Sequence, residues 1–239
     1  MAKKKIELVV FDLAGTTVDD AVNGLPLVTL AMTEAFSVNG IKITPEQVNK
    51  VRGMDKKEAL NHLLNESLKF DENSHVAMDS KNRSSLEDKL FGDFKSALNC
   101  HLMNINKEIE GSSDTFNWLI EQGVKIAVGS GFPHNVVLSL VSKLGWNELI
   151  NYVSSAEQEG HGRPHPSLIL SAMKHCAVCD AKSVIKVGDT LMDIEEGKNA
   201  GCWTVAVLTG TQTESTLRKG KPDFIIPSVA KLSNIIKNL

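Results

Sequence analysis

The chain has 239 residues, which is enough for one large domain or for a core with a smaller lobe. A hydrophobic share of 42% and a charged share of 23% are ordinary for a globular protein, and the net charge of −3 offers no basic surface to nucleic acid. No apolar run reaches the ~18 residues of a membrane span, and the apolar stretch after the first lysines is too short for a signal peptide. We therefore expect a cytoplasmic protein that binds neither nucleic acid nor membrane.

The first predicted element is a buried strand that ends in a carboxylate. The apolar run from Ile6 to Phe11 is typical of a parallel strand, and Asp12 follows it directly. Open α/β sheets bind ligands at the carboxyl ends of their strands, so Asp12 could act as a nucleophile or hold a metal. Gly15 and Thr16 allow a tight turn and offer donors to an anion. The alternative is a strand capped by an Asx turn.

Helical periodicity then dominates from residue 20 to about residue 110. Thr44 and Pro45 predict a helix start, and apolar residues at helical spacing predict amphipathic helices on either side of it. The polar stretch 71–85 predicts a loop between two of these helices. We interpret residues 20–104 as an α-helical cap domain, whose helices could also support a homodimer.

From Gly111 onward, helix and strand patterns alternate. Strands are predicted at residues 124–129, 152–154, 183–188, 203–208 and 224–226. Helices are predicted at residues 112–122, 133–144, 166–176, 191–200 and 229–237. This alternation predicts a doubly wound parallel sheet. The expected fold is α/β, with a Rossmann-like core of residues 1–19 and 105–239 into which the α-helical cap is inserted.

Two of the later segments carry groups suited to binding phosphate. Ser130 and the N–H groups of Gly131 and Phe132 lie at a strand-to-helix junction, which is a common phosphate-binding position. Arg163 lies in a proline-rich turn and could bind phosphate with its forked guanidinium. The alternative for Arg163 is an ordinary surface arginine.

A third segment ends in two aspartates. Asp189 follows the strand predicted at 183–188, and Asp193 lies four residues further on. Asp12 and Asp189 could hold Mg²⁺ through oxygen ligands and waters, which is the usual mode for this cation. The alternatives are that Asp189 is a helix N-cap and Asp193 a first-turn acid.

In chain order, Asp12, Ser130, Arg163 and the pair Asp189 and Asp193 resemble the motif series of the haloacid dehalogenase superfamily. Most members of that superfamily transfer phosphoryl groups through an aspartyl-phosphate. The resemblance implies Asp12 as the catalytic nucleophile and Mg²⁺ as the cofactor. The implied metal ligands are Asp12, the backbone carbonyl of Ala14 and Asp189, with Asp193 in support. The implied phosphate-binding residues are Ser130, Gly131, Arg163 and Thr16.

Ala14 departs from the superfamily pattern, because most of its phosphatases carry there a second aspartate that acts as general acid and base. An alanine at this position resembles the phosphonatase branch, that is, phosphonoacetaldehyde hydrolase and its relatives. The stretches Leu144-Gly145-Trp146 and Gly162-Arg163-Pro164 resemble that branch as well. Protonation of a leaving group must then come from elsewhere or be unneeded.

Phosphonoacetaldehyde hydrolases use a cap lysine that forms a Schiff base with the substrate. Lys56 lies at the matching distance after Gly53, but Arg52 replaces the family's methionine and Ala59 its histidine. Three roles stay open for Lys56: the Schiff-base lysine, an exposed cap lysine, or a contact to substrate phosphate beside Arg52. An imine requires a neutral amine, and no obvious base remains near Lys56, so we predict an electrostatic contact without a Schiff base.

The resulting hypothesis is a Mg²⁺-dependent, phosphonatase-like hydrolase of a small phosphorylated or phosphonate metabolite. One alternative is a true phosphonoacetaldehyde hydrolase that uses Lys56. Another is a non-catalytic phosphate-binding protein that retains the site, since position 14 has no general acid. Haloacid dehalogenation is disfavoured, because dehalogenases of the superfamily need no metal whereas Asp189 and Asp193 resemble metal support.

Overall fold

A computed structural model of the chain describes residues 5–70 and 80–239. It divides into two compact units. The sheet unit comprises the chain up to Asp20 together with Asn106–Leu239, and the helical unit comprises Ala21–Ile105.

The sheet unit is built on six parallel strands. The strands of the described residues are β1 (Leu8–Phe11), β2 (Val18–Asp19), β3 (Ala21–Val22), β4 (Leu25–Pro26), β5 (Lys107–Glu108), β6 (Lys125–Ser130), β7 (Tyr152–Ser155), β8 (Val184–Gly188), β9 (Trp203–Val207) and β10 (Phe224–Ile226). The main sheet has the order β10-β9-β8-β1-β6-β7, and each neighbouring pair is parallel. The predicted α/β fold with a Rossmann-like sheet is confirmed.

Helices connect the strands of the sheet unit and form most of the helical unit. They are α1 (Leu27–Val38), α2 (Pro45–Lys50), α3 (Lys56–Phe70), α4 (Ser80–Leu102), α5 (Ser112–Glu121), α6 (His134–Lys143), α7 (Ala156–Glu159), α8 (Ser167–His175), α9 (Leu191–Asn199), α10 (Glu214–Lys219) and α11 (Leu232–Ile236). In the described residues, none of these helices is both long and apolar enough to cross a membrane.

The helical unit differs from expectation at the predicted loop 71–85. Residues 71–79 lie outside the described residues, and the prediction is wrong for 80–85 because α4 already begins at Ser80. A pair between Arg83 Nε and Glu87 Oε1, 3.0 Å apart at helical i,i+4 spacing, stabilises this polar start. The helix start at Thr44 is as predicted, with a capping box between Thr44 and Gln47.

Short elements escaped prediction because they lack enough residues to show a period. Two-residue strands form the antiparallel pairs β2–β5 and β3–β4. Helix α10 was not predicted, and its N-cap is Thr213, whose side chain accepts a hydrogen bond from Thr216 N. The last predicted helix, 229–237, is divided into a 3₁₀ turn at Val229–Lys231 and α11.

Strand β1 lies at the centre of the sheet and is fully buried. It pairs with β6 and β8, and all four of its residues are buried, as expected for a continuous apolar run in a parallel sheet that is covered on both faces. Phe11 packs edge-on against Phe116, with ring centroids 5.1 Å apart, and Phe116 packs against Trp146 at 5.0 Å. This rigid packing fixes the position of the residue that follows Phe11.

Candidate active site

The site lies where the central strands end. Phe11 is in register with Val128 of β6 and Val187 of β8. Asp12 follows Phe11, and its backbone N–H donates to Val187 O at 2.9 Å. Ser130 and Asp189 each lie two residues beyond the partners of Phe11, so parallel pairing brings all three predicted residues to one edge of the sheet.

The chain turns tightly after Asp12. Gly15 has a φ of 80°, a left-handed conformation that suits glycine, and its N–H donates to Val18 O at 2.9 Å. The Thr17 hydroxyl donates to Asp12 O at 2.9 Å. The Thr16 hydroxyl donates to Asp189 Oδ1 at 3.0 Å, so it holds a carboxylate of the site. Ala14 lies within this turn, two residues after Asp12.

Three buried carboxylates converge at the edge. Oxygens of Asp12, Asp189 and Asp193 all lie within 4.8 Å of one another. Thr190 is the N-cap of α9, and Asp193 Oδ2 accepts from Thr190 N at 3.2 Å and from Thr190 Oγ1 at 2.5 Å. The N-cap is therefore Thr190, and the alternative that placed Asp189 there is wrong. Asp193 is both a first-turn acid and a member of the carboxylate cluster.

Arg163 bridges two of these carboxylates. Its Nη2 donates to Asp12 Oδ1 at 2.8 Å and its Nη1 donates to Asp193 Oδ1. The side chain is 3% exposed, so the alternative of a surface arginine is wrong. Burial by itself would lower the pKa of Arg163, but the charges of Asp12 and Asp193 outweigh it and raise that pKa. The guanidinium stays charged.

A second buried ion pair lies behind Asp193 and escaped the sequence analysis. Lys186 Nζ is 3.2 Å from Asp193 Oδ1 and 3.0 Å from Glu196 Oε2, and all three side chains are at most 1% exposed. Two signals could have revealed it: a lysine inside the apolar strand β8, and a glutamate three residues after Asp193 on α9. A Cβ at Gly197 would lie 3.0 Å from Lys186 Cβ, so glycine lets the helix approach the strand here.

The cations behind Asp193 control its ionisation. Burial raises the pKa of a carboxyl, but Arg163 and Lys186 outweigh burial and lower the pKa of Asp193 to about 2. For Glu196, burial dominates over Lys186 and raises the pKa. For Lys186, burial would lower the pKa, but the charges of Glu196 and Asp193 raise it.

The donor set fits a divalent, oxygen-preferring cation. Asp12, Asp189 and Asp193 bring three buried carboxylates together, and among the described residues Arg163 pairs with Asp12 and Asp193 while Lys186 pairs with Asp193. Placing several carboxylates together in a buried site is costly, and a divalent cation would reduce their mutual repulsion. Carboxylate oxygens are the ligands that Mg²⁺ prefers.

The predicted phosphate-binding junction is used in part by the chain itself. Ser130 is buried, and its hydroxyl oxygen accepts from Phe132 N at 3.2 Å. At the start of α6, the N–H of His134 donates to Glu157 Oε2 at 2.9 Å. Neither contact was visible in the sequence, since both depend on how the turns after β6 and β7 fold. Gly131 lies between Ser130 and Phe132 and is buried.

The residues predicted to contact substrate from the cap, Arg52, Gly53 and Lys56, lie close together in the sequence of the helical unit. Gly53 has a φ of 90°, and Asp55 Oδ1 accepts from the backbone N–H groups at the start of α3. Lys56 is the first residue of α3, and its Nζ donates to Met54 O at 3.2 Å. Arg52 and Lys56 are both buried, so the alternative of an exposed cap lysine is wrong.

Comparison with known proteins identifies a hydrolase family and relatives named as phosphonoacetaldehyde hydrolases. A family model described as haloacid dehalogenase-like hydrolase matches residues 9–207. The chain is 31% identical over 214 residues to a phosphonoacetaldehyde hydrolase of Bacteroides fragilis, with 87% of this chain and 78% of that protein covered. It is 30% identical over 214 residues to a bifunctional phosphonoacetaldehyde hydrolase/aminoethylphosphonate transaminase of Clostridioides difficile, and it spans 32% of that protein's length.

The fold also matches a solved structure. A crystal structure described as a phosphonoacetaldehyde hydrolase like protein from Oleispira antarctica has a TM-score of 0.84 at 24% identity. The match covers 99% of this chain and 93% of that one. At this identity the likeness concerns the fold alone.

Proposed function

We propose a reaction for this chain, which belongs to the haloacid dehalogenase-like hydrolase family. The hydrolase transfers a phosphoryl group from its substrate to Asp12 and then to water. The substrate class is a small organic phosphate or phosphonate, and the cofactor is Mg²⁺. One observation carries the proposal. Asp12 ends the central strand with Oδ1 held by Arg163, whereas Oδ2 makes no hydrogen bond within the described residues.

The proposed reaction has two displacements at phosphorus. An oxygen of Asp12 attacks phosphorus, the bond from phosphorus to the leaving group breaks, and the leaving group departs with the bonding electron pair. Water then attacks the aspartyl-phosphate, which releases inorganic phosphate and restores the Asp12 carboxylate. The protons of that water pass to the phosphate and the leaving group. Splitting the hydrolysis this way replaces one difficult step by two easier ones.

The metal and phosphate would be held by residues at the same sheet edge. Asp12, the backbone carbonyl of Ala14 and Asp189 would hold Mg²⁺, with Asp193 in support. When bound, Mg²⁺ supplies positive charge that lets an anionic nucleophile approach an anionic phosphoryl group. Arg163, already buried between two carboxylates, would share the phosphate charge.

Three smaller groups would contribute to phosphate binding. Ser130 ends β6 and Gly131 follows it, beside the strand that precedes Asp12, which supports their assignment. Thr16 donates to Asp189, so its proposed contribution is to orient that carboxylate near the phosphate. Position 14 has no titratable side chain, and we therefore expect preference for leaving groups that need little protonation.

A broad substrate screen tests the proposal. Purified protein should release phosphate from at least one compound in a panel of phosphate esters and phosphonates that includes phosphonoacetaldehyde, and EDTA should stop the release. Asp88→Asn, on an exposed side chain of the helical unit, is the matched control and should keep full activity. Silence across the panel with Mg²⁺ present contradicts the proposal and favours a non-catalytic phosphate-binding protein.

A second candidate function is phosphonoacetaldehyde hydrolysis through a Schiff base on Lys56. The burial of Lys56 and the names of the relatives favour it. The alanine at position 59 argues against it, so we expect Lys56, with Arg52 and Gly53, to contact substrate without covalent chemistry. Borohydride added with phosphonoacetaldehyde should leave the mass of the Lys56 peptide unchanged. A stable adduct there would establish the Schiff-base reaction instead.

A further inference from the structure

The loop Thr209–Gln212 connects β9 to α10 and lies outside every motif of the sequence analysis. We infer that this loop is a positioning element of the metal site, and that Gly210 sets the place of the Asp189 carboxylate. The inference rests on the proposed function, because it assigns the loop a role in holding the Mg²⁺ ligands. Three contacts carry it, all within the sheet unit.

Gly210 lies directly against the Asp189 side chain. A Cβ placed on Gly210 would be 1.8 Å from Asp189 Oδ2 and 2.3 Å from its Cγ. Real atoms cannot approach so closely, so any larger residue would displace the carboxylate. The φ of Gly210 lies outside the left-handed region, unlike that of Gly15. Glycine is therefore required here for space and not for backbone conformation.

Two other residues of the loop, Thr209 and Gln212, contact the segments that carry Asp12 and Asp193. The Thr209 hydroxyl donates to Gly15 O at 2.7 Å, in the turn that follows Asp12. Gln212 Oε1 accepts from the N–H of Leu191 at 2.9 Å, at the first residue of α9, the helix that carries Asp193. The loop thus contacts the Asp12 turn, the Asp189 carboxylate and the start of the Asp193 helix.

A shift of Asp189 would reach the metal site through its neighbours. Its Oδ1 accepts from Thr16, so displacement of the carboxylate also strains the turn that contains Ala14. Residues that orient metal ligands typically change metal affinity by about 10–100-fold when they are altered. Gly210→Ala should therefore weaken Mg²⁺ binding while the sheet itself stays intact.

The test is the Mg²⁺ dependence of thermal unfolding, because a ligand that binds only the folded state raises the unfolding temperature by mass action. Gly210→Ala is compared with wild type and with Gly92→Ala, a helix position with open space around it. Gly92→Ala should match wild type in its Mg²⁺ midpoint. Gly210→Ala should need at least about tenfold more Mg²⁺, and its turnover should recover when Mg²⁺ is raised in proportion.

The outcomes separate this inference from the proposed function. Equal Mg²⁺ midpoints for wild type and Gly210→Ala overturn the inference alone. A wild type that ignores Mg²⁺ contradicts the proposed metal dependence and the inference with it. If Gly210→Ala does not fold, Thr209→Val removes the contact to Gly15 without adding bulk. It should then show a raised Mg²⁺ midpoint, and an unchanged midpoint overturns the inference.

Discussion

Asp12 and Asp193 each bind one terminal nitrogen of the Arg163 guanidinium, but the two carboxylates have different surroundings. Asp193 is buried, accepts hydrogen bonds from the Thr190 N–H and hydroxyl and from Arg163, and forms an ion pair with Lys186. Asp12 accepts from Arg163 alone among the described side chains, and its own side chain is 8% exposed. Both oxygens of Asp193 are engaged by these contacts, whereas only Oδ1 of Asp12 is engaged by Arg163. The difference supports the proposal that Asp12 attacks phosphorus and that Asp193 supports the site.

The largest expected effects come from replacing each carboxylate by an amide: the loss at Asp12 should appear in turnover, and the loss at Asp193 in stability. Asp12→Asn should lower turnover by about 10³-fold or more, and it should destabilise the fold less than Asp193→Asn does, because Arg163 keeps its pair with Asp193. Asp193→Asn should destabilise the fold by about 3–5 kcal/mol, because it leaves Arg163 and Lys186 without their shared partner. Phosphate-release assays and urea unfolding measure the two quantities. The reverse pattern would contradict the assignment of roles.

The pair behind Asp193 offers a sharper version of the same comparison. Lys186→Met leaves Glu196 as a buried charge without its ion-pair partner and should cost about 3–5 kcal/mol of unfolding free energy. The double variant Lys186→Met with Glu196→Gln removes both charges, and most of that loss should return. Urea unfolding of the two variants beside wild type decides this. If the double variant is as unstable as the single one, the ion pair of Lys186 and Glu196 does not stabilise the fold by balancing charge.

Acid provides a smaller and more specific effect. The pKa of Asp193 is lowered from 3.8 to about 2, so its ionisation stabilises the fold above pH 3.8 and this stabilisation is lost as the pH falls through 2. The loss should amount to about 2 kcal/mol in urea unfolding across this window. The raised pKa of Glu196 acts above 4.5, outside the window.

The control for the acid experiment is a carboxylate on the surface. Asp88→Asn removes an exposed partner of Lys57 and should keep the wild-type pH dependence, since exposed pairs contribute little. Asp193→Asn should flatten it. An Asp193→Asn profile as steep as wild type would mean that another group carries the acid sensitivity.

Much of the sheet unit was predictable because its signals are local. Apolar runs that end in Asp12, Ser130 and Asp189 mark strand ends, and the topology of a parallel sheet then brings those ends together. The contacts that complete the cluster depend on packing. That Lys186 pairs with Glu196, and that Gly210 lies against Asp189, follows from how closely α9 and the 209–212 loop approach the strands. Sequence spacing does not contain such distances.

The helical unit was less predictable, because its candidate residues lie in a turn. Arg52 and Lys56 lie on either side of Gly53 in the chain. The left-handed conformation of Gly53 and the capping of α3 by Asp55 shape this turn. Their burial could not be read from charged residues in a polar stretch, which ordinarily lie on the surface. For the same reason a loop is wrongly predicted at residues 80–85: a helix start made of polar, salt-bridged residues has the composition of a connecting loop.

The most direct test is whether Asp12 becomes phosphorylated during turnover. Borohydride reduces an acyl-phosphate to an alcohol, so it converts a phosphorylated aspartate to homoserine. The enzyme is mixed with Mg²⁺ and a substrate found in the screen, quenched with borohydride, digested and mapped by mass spectrometry, with Asp12→Asn as the blank. We predict homoserine at position 12 alone. Phosphate release with unmodified Asp12, or homoserine at Asp189 or Asp193, would contradict the assignment of Asp12 as the nucleophile.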